Sequence, residues 1–141
     1  MKIDRLDHVN IHTDRLDETV RFYEDVMGLT KGLAPGLDLE MTAWMFDGDR
    51  ALIHLGMAGS ILGEAKKDSP AGAPPAPPPG SGAVHHVAFN CRDYDAMIDR
   101  LERLGVPKQT NYVEAVDLKQ IFIHDPNGVM LELNFFGDAS A

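Results

Sequence analysis

Apolar and polar residues alternate along several short stretches of this chain, and the alternation predicts most of its strands. Residues 4–13 (DRLDHVNIHT) follow period two, which is typical of a half-buried strand. We expect Val9 and Ile11 to face one side of that strand, and His8 and Asn10 the other. Comparable patterns predict seven further strands near 29–34, 39–46, 50–57, 83–91, 108–115, 118–124 and 129–136.

Two segments have helical spacing instead. Asp14 is predicted to cap the first helix, and Gly28 to end it in the left-handed conformation. The inward positions of this helix are Leu16, Val20, Tyr23 and Val26/Met27. A second helix is predicted over 93–104, where Gly105 and Pro107 stop it. Its inward positions are Tyr94, Met97/Ile98, Leu101 and Leu104.

Residues 58–82 differ in composition from the rest of the chain, because six of its nine prolines fall between Pro70 and Pro79. Such a stretch donates few backbone hydrogen bonds, which predicts a connector. We expect 66–82 to be mobile and to lie near the mouth of a binding cavity. A solvated linker without a role and a proline-rich recognition ligand are the alternatives.

The two halves of the chain repeat at an offset of 78 residues. Leu6-Asp7-His8-Val9 falls on Val84-His85-His86-Val87, Trp44 on Phe122, Asp47 on Asp125 and His54 on Glu132. Each half is therefore predicted to be one βαβββ unit of an α+β fold. One unit is too small to bury its sheet alone, so we expect one domain over 1–141. It would comprise module one (1–57), the connector (58–82) and module two (83–137).

The repeat places four polar residues at matched positions. His8 and His86 fall on the first strand of each module, and His54 and Glu132 on the last. A lone histidine on a strand is usually a surface residue or a satisfied core residue, but matched positions favour a shared role. Imidazole and carboxylate are suitable ligands for one divalent cation, such as Zn, Fe, Ni, Co or Mn.

Other polar residues are less strongly indicated as metal ligands. His85 is expected to face away from His86, and His12 to lie roughly 13 Å along the strand from His8, near the rim of the sheet. Gln120 and His124 share a face of strand 118–124, where they could support the ligands, contact substrate or only form a polar rim. The candidate substrate-binding residues are Asn10, Gln120, His124 and Asn134.

Charge and composition narrow the class of partner. The net charge of -9, with no basic cluster longer than Lys66-Lys67, disfavours nucleic acid and favours a small molecule. The chain has no run of about 18 apolar residues, so no membrane span is predicted, and the N-terminus lacks a signal-peptide core. Cys91 is the only cysteine, so no internal disulfide can form. We therefore expect a cytoplasmic protein.

Four motifs, LDHVNIHT, VRFYEDVMGL, VHHVAFNC and HDPNGVMLELNF, resemble the vicinal-oxygen-chelate superfamily of the glyoxalase, bleomycin-resistance and dioxygenase type. The resemblance implies two βαβββ modules whose sheets curl around a metal cavity. Ligands in that superfamily come from the first and last strand of each module, which here are His8, His54, His86 and Glu132. It also implies a homodimer, with modules paired within one chain or across two.

The resemblance favours a glyoxalase-like lyase or isomerase that chelates vicinal oxygens of a small metabolite. Glu132 and His54 are then the candidate catalytic residues that move a proton. Glyoxalase I has a carboxylate base at the position of His54, so His54 is a departure and could act as base only off the metal. An extradiol-type Fe(II) dioxygenase would need only His8, His86 and Glu132. A non-catalytic small-molecule or antibiotic-binding protein is the third alternative, although bleomycin-binding members lack the ligands.

Overall fold

The computed structural model describes residues 1–34, 40–57 and 80–137, and it divides the chain into two compact units, Met1–Pro77 and Pro78–Ala141. All but the last three residues of the predicted connector 58–82 lie outside the described ranges. The predicted mobility of 66–82 falls mainly outside them as well. Within the described ranges, no helix is both long and apolar enough to span a membrane.

The first unit is one βαβββ module. Its elements are β1 (Val9–Thr13), α1 (Leu16–Asp25), β2 (Thr30–Gly32), β3 (Thr42–Asp47) and β4 (Arg50–Met57). The sheet order is β1-β4-β3-β2, with β1 parallel to β4 and the other neighbours antiparallel. The turn between β3 and β4 contains Gly48 at a φ of 60°, as the Asp-Gly-Asp sequence predicts.

The second unit has the same topology. Its elements are β5 (Val87–Asn90), α2 (Tyr94–Arg103), β6 (Gln109–Val113), a 3₁₀ turn (Glu114–Val116), β7 (Leu118–His124) and β8 (Met130–Phe136). The sheet order is β5-β8-β7-β6, and β5 is parallel to β8. This confirms an α+β fold of two βαβββ modules.

Strand register reproduces the offset of 78 residues. Trp44 pairs with His54 in the first sheet, and Phe122 pairs with Glu132 in the second. Along the parallel edge, Asn10 pairs with His54 and Ala88 with Glu132. His54 and Glu132 therefore occupy the same place in their two sheets.

One face of each sheet carries the apolar core. Met45, Ile53 and Leu55 are buried in the first unit, and the second unit buries Ile121, Ile123, Leu131 and Leu133. The helices contribute Tyr23 and Leu101, which are equivalent in the repeat and fully buried. Because side chains alternate along a strand, the polar residues of interest lie on the opposite, open face of each sheet.

The first strand of each module begins later than predicted. β1 starts at Val9 and β5 at Val87, so His8 and His86 lie directly before the strands rather than within them. The parallel pairing with β4 starts at Val9 opposite Ile53, and residues 4–8 have no ladder partner. Alternation shows which residues suit a strand, but it does not show where the neighbouring strand provides hydrogen bonds.

Both predicted helices form, with two corrections at their ends. The N-cap of α1 is Arg15, not Asp14, because the Arg15 carbonyl accepts the first helical hydrogen bond, from the Thr19 backbone N–H. Leu104 is 41 % exposed rather than inward, since it caps the C-terminus of α2. Gly28 (φ 70°) and Gly105 (φ 66°) follow the helices in the left-handed region, as expected.

Candidate metal centre

Three aromatic rings stack on the open face of the first unit. The His54 ring lies between the His8 ring, at a centroid distance of 3.7 Å, and the Trp44 ring, at 3.9 Å. The ring planes differ by 10° in each pair. Trp44 reaches His54 because the two residues are directly paired on β3 and β4. The imidazole of His54 is therefore held by contacts on both of its faces.

Asp7 orients the His8 ring. The His8 Nδ1–H donates a hydrogen bond of 2.8 Å to Asp7 Oδ2, and this bond lowers the pKa of the Asp7 carboxyl. Since Nδ1 is occupied by the carboxylate, Nε2 is the nitrogen of neutral His8 with a free lone pair. A carboxylate on the far nitrogen is the usual support for a metal-binding histidine.

The stacking limits how His8 and His54 can share one ion. An imidazole binds a metal in the plane of its ring, whereas these two planes are nearly parallel and about one ring thickness apart. A common ion would require one ring to turn. His8 is the exposed partner of the two, and it lies before β1, so it is the ring with the freedom to do so.

His54 is favoured in its neutral form. Burial lowers the pKa of its imidazole from the ordinary value of 6.5, and the nearby His8 lowers it further. A neutral imidazole has the lone pair that a metal ligand or a general base needs. The local surroundings of His54 therefore suit either role near neutral pH.

In the second unit, His86 and Glu132 converge. His86 Nε2 lies 3.0 Å from Glu132 Oε2, and the Glu132 side chain is only 13 % exposed. Two ligand atoms at this separation, each about 2.1 Å from an ion, would subtend roughly 90° at it. This imidazole–carboxylate pair therefore has the donor types and the spacing of neighbouring ligands on one divalent cation.

His85 contacts His86, which corrects the expectation that it faces away. The Nδ1 atoms of the two rings are 2.9 Å apart. Strict alternation does not apply here, because both residues precede β5. His85 is the repeat equivalent of Asp7, so in each module the residue before the predicted ligand contacts the Nδ1 of that ligand. An ion on Nε2 would leave the proton of neutral His86 on Nδ1, where His85 Nδ1 can accept it.

Amide side chains support Glu132 from the neighbouring strand. Gln120 Nε2 donates to Glu132 Oε1 at 2.8 Å and to Asn134 Oδ1 at 3.0 Å. Asn111 Nδ2 donates to Gln120 Oε1 at 2.9 Å, which fixes the orientation of the Gln120 amide. Gln120 thus occupies Oε1 of Glu132, and the other carboxylate oxygen, Oε2, lies beside His86.

The remaining predicted residues lie at different distances along the sheets. Asn10 is exposed and pairs with His54 across the parallel ladder. His124 is also exposed, at the end of β7 opposite Met130. Glu132 lies two pairs further along β7 and β8, opposite Phe122. Gln120 and Asn134 are thus the members of this set that the hydrogen-bond network ties to a predicted ligand.

Each unit, taken by itself, brings together two of the four predicted ligands. His8 and His54 are neighbours in the first, and His86 and Glu132 in the second. Within either unit, the described His, Cys, Asp and Glu side chains form no group of three suited to one ion. The assignment of all four residues to a single ion stays a prediction.

Cys91 has no features of a nucleophile. Burial raises the pKa of its thiol, and Sγ donates to the Phe89 carbonyl at 3.6 Å. A thiol rather than a thiolate is therefore present near neutral pH, which disfavours covalent chemistry at this residue.

Comparisons with known proteins agree with this architecture. The family model of the Glyoxalase/Bleomycin resistance protein/Dioxygenase superfamily matches residues 5–133. The chain is 29 % identical over 131 residues to Glyoxylase I 4 of Arabidopsis thaliana, which covers 91 % of this chain and 68 % of that relative.

Solved structures show the same fold. Lactoylglutathione lyase from Agrobacterium tumefaciens superposes with a TM-score of 0.70 at 22 % identity, covering 96 % of each chain. The fosfomycin resistance protein FosX from Listeria monocytogenes gives 0.65 at 15 % identity, covering 98 % of each chain. One fold therefore occurs both in a protein named as a lyase and in one named for fosfomycin resistance. The fold alone does not establish the function of this chain, which depends on the residues of the open faces.

Proposed function

Because the chain belongs to the glyoxalase/bleomycin resistance protein/dioxygenase superfamily, we propose that it is a metal-dependent enzyme, a glyoxalase-like lyase or isomerase. Its substrate would be a small metabolite with two adjacent oxygens. The observation that carries this proposal is the His86–Glu132 pair, whose Nε2 and Oε2 atoms converge at 3.0 Å. The matched positions of His54 and Glu132 in two sheets of equal register support a shared site.

The proposed ligands are His8, His54, His86 and Glu132, and they would hold one divalent ion per chain. When bound, such an ion supplies Lewis-acid stabilisation of negative charge that develops on the substrate oxygens. Glu132 is the residue we propose to accept a proton from the substrate carbon and return it. Its Oε1 is held by Gln120, while Oε2 faces the proposed reaction centre.

His54 is the second proposed proton carrier, and its neutral form suits that role. The Trp44 ring stacks on it and would keep its plane fixed during proton transfer. His54 acts as base only if it does not bind the ion at the same time. In that case His8, His86 and Glu132 remain as ligands.

Those three residues also support a second candidate, an Fe(II) ring-cleaving dioxygenase, since two histidines and one carboxylate are its usual ligand set. The specific observation in its favour is that the His54 ring is stacked nearly parallel to that of His8, so that in this arrangement the two rings do not direct their nitrogens at one common ion. Oxygen consumption on addition of a catechol to the Fe(II)-loaded protein would favour the dioxygenase. Isomerisation of a 2-oxoaldehyde thiol adduct without oxygen uptake would favour the lyase or isomerase.

We also propose that the protein is a homodimer and that residues 1–141 act as one functional domain. Each described unit brings only two of the four proposed ligands together, so a complete site requires units to combine within one chain or across two. Light scattering at micromolar concentration measures the mass of the assembly. A monomer would contradict the dimer without affecting the ligand assignment.

Metal analysis tests the central proposal. The full chain is purified without added metal or chelator, and its metal content is compared with those of His86→Ala and Glu132→Ala. We expect about one divalent ion per wild-type chain and clear loss in both variants. Glu114→Ala, which removes an exposed carboxylate from the 3₁₀ turn, is the matched control and should keep the metal. Undiminished metal in both ligand variants would refute the assignment.

A further inference from the structure

Four amide side chains form one row across the open face of the second sheet. Asn90 pairs with Asn134, Asn134 with Gln120, and Gln120 with Asn111. Each of the four strands β5, β8, β7 and β6 therefore contributes one amide at the same level. The row lies next to the proposed ligand Glu132, two residues or about 6.6 Å along β8.

Three of the four amides, those of Asn111, Gln120 and Asn134, are hydrogen-bonded to one another, and the row retains unused groups. Both hydrogens of Gln120 Nε2 are committed, to Glu132 and Asn134. In the part of the chain that the structure describes, Asn134 Nδ2 and Asn111 Oδ1 have no hydrogen-bond partner, and neither end of the Asn90 amide has one. Asn90 and Asn111 are exposed, so solvent or a ligand can reach them. The row thus presents donors and acceptors along one line.

The first sheet shows that this row is not needed to build the fold. At the equivalent position along the strands of the first sheet, His12 pairs with Gly56, and Gly56 pairs with Thr42. Topology and register are the same in the two sheets, yet the first has a glycine where the second has Asn134. A cross-strand amide row that only stabilised the sheet would leave this difference unexplained, whereas a ligand-binding row accounts for it.

Charge indicates what the row binds. None of the residues on this open face of strands β5 to β8 is lysine or arginine, and Glu132 adds a negative charge beside the row. A phosphate or carboxylate group would therefore find no lysine or arginine side chain on this face of the described strands. A hydroxyl group can both donate and accept, so it can pair with Asn134 Nδ2 as well as with Asn111 Oδ1.

We propose that the row Asn90–Asn134–Gln120–Asn111 binds an uncharged, polyhydroxylated portion of the substrate. This inference rests on the proposed function, because the vicinal oxygens of the same molecule would bind the ion beside Glu132. The substrate is then a sugar-like hydroxyketone or ketoaldehyde rather than a charged metabolite. The ion side of the site activates the oxygens, and the amide row selects the chain attached to them.

The test compares two neutral probes on the zinc-loaded full chain. D-xylulose and dihydroxyacetone share the same chelating hydroxyketone, and only D-xylulose carries further hydroxyls that can reach the row. Binding is followed by NMR, in which the side-chain NH₂ signals of the four amides are observed directly. The variants are Asn90→Leu and Asn111→Leu. Gln109→Leu, one level away on the same face of β6, is the matched control.

We expect each variant to weaken D-xylulose binding about threefold to tenfold, the effect of losing one hydrogen bond. Dihydroxyacetone binding should stay unchanged, and Gln109→Leu should affect neither probe. Equal affinity of wild type and both variants for D-xylulose would overturn the inference. So would tighter binding of D-xylulose 5-phosphate than of D-xylulose, because the row is inferred to select an uncharged group.

Failure of the proposed metal site can be distinguished from failure of the amide-row inference. If the wild-type chain holds no metal, the proposed function fails, and the row is tested on the metal-free chain with erythritol. Shifts of the Asn90 and Asn134 side-chain signals, with none for Asn127 in the β7–β8 turn, would support a polyol-binding row. Unmoved signals at all three residues would overturn it.

Discussion

The two modules orient the side chain at the equivalent position of their sheets, His54 in the first and Glu132 in the second, through different contacts. In the first, His54 is stacked between the rings of His8 and Trp44. In the second, Glu132 Oε1 accepts a hydrogen bond from Gln120, and Oε2 lies 3.0 Å from His86 Nε2. Each arrangement suits its residue, since a flat imidazole is oriented through its faces and a carboxylate through its oxygens.

This difference separates what the fold requires from what the site requires. The apolar core of each module keeps equivalent buried positions, such as Tyr23 and Leu101 on the helices. The open side does not: Thr42 corresponds to Gln120, and Gly56 to Asn134. The repeat is therefore kept where apolar packing builds a module and differs on the open face, where we propose that the substrate binds.

The largest expected effect is on stability. Leu101→Ala should lower the free energy of unfolding by about 3 kcal/mol and Tyr23→Ala by about 4 kcal/mol, because both side chains are fully buried. Chemical denaturation measures both. If residues 1–141 form one cooperative domain, each variant shifts one common transition. If the units unfold independently, each variant shifts only the transition of its own unit. A loss below about 1 kcal/mol in either variant would contradict the equivalence of the two cores.

The sequence predicted the modules well because their information is local and repeated. Alternation, helical spacing and the glycines at 28 and 105 define the elements, and the offset of 78 residues defines the register between equivalent strands. The limits were at the ends, where β1 and β5 begin only when a partner strand is present. The first helix has Arg15 rather than Asp14 as its N-cap, because the Arg15 carbonyl accepts the first helical hydrogen bond, and the sequence pattern does not distinguish these two adjacent positions.

The site was predictable as a set of positions but not as a set of contacts. Matched repeat positions identified His86 and Glu132, which the structure brings to 3.0 Å. The stacking of Trp44 on His54 and the amide row depend on which residues face each other across strands. Counting outward from the Asp47–Arg50 pair would place Trp44 opposite Ile53, whereas a register shift between Met45 and Phe46 places it opposite His54, and the sequence pattern does not show that shift. The contact between His85 and His86 has no sequence signal either, because both residues precede the strand.

A smaller effect is expected from removing the support of Glu132. Gln120→Leu should weaken zinc binding about tenfold, because Glu132 Oε1 loses the donor that fixes the carboxylate. Competition with a chromophoric zinc chelator measures this affinity. Gln109→Leu changes an exposed amide on the neighbouring strand and should leave zinc binding within about twofold. Equal zinc affinity in wild type and Gln120→Leu would show that the network only stabilises the sheet.

The corresponding change in the first module should have a still smaller effect. Trp44→Ala removes one face of the His54 stack and should weaken zinc binding about threefold to fivefold, the usual energy of an aromatic pair. Trp44→Phe restores the ring found at the equivalent Phe122 and should recover most of the affinity. Trp44 is the only tryptophan, so its emission in the wild-type chain should also change on zinc addition. Emission unaffected by saturating zinc would argue against His54 as a ligand.

The smallest effect concerns the titration of His54 in the metal-free chain. Burial and the neighbouring His8 lower the pKa of His54, so NMR should give a midpoint below the ordinary 6.5. His8→Asn should raise that midpoint, because it removes the second of these two causes. A folded-state pKa below the unfolded value means that the contribution of His54 to stability is complete above about pH 6.5. It is lost as the pH falls through the folded pKa. His54→Gln should therefore flatten the acid side of the stability profile. A midpoint at or above 6.5 in the wild-type chain would show that the surroundings of His54 do not favour its neutral form. The proposal that His54 acts as a base would then lose its support.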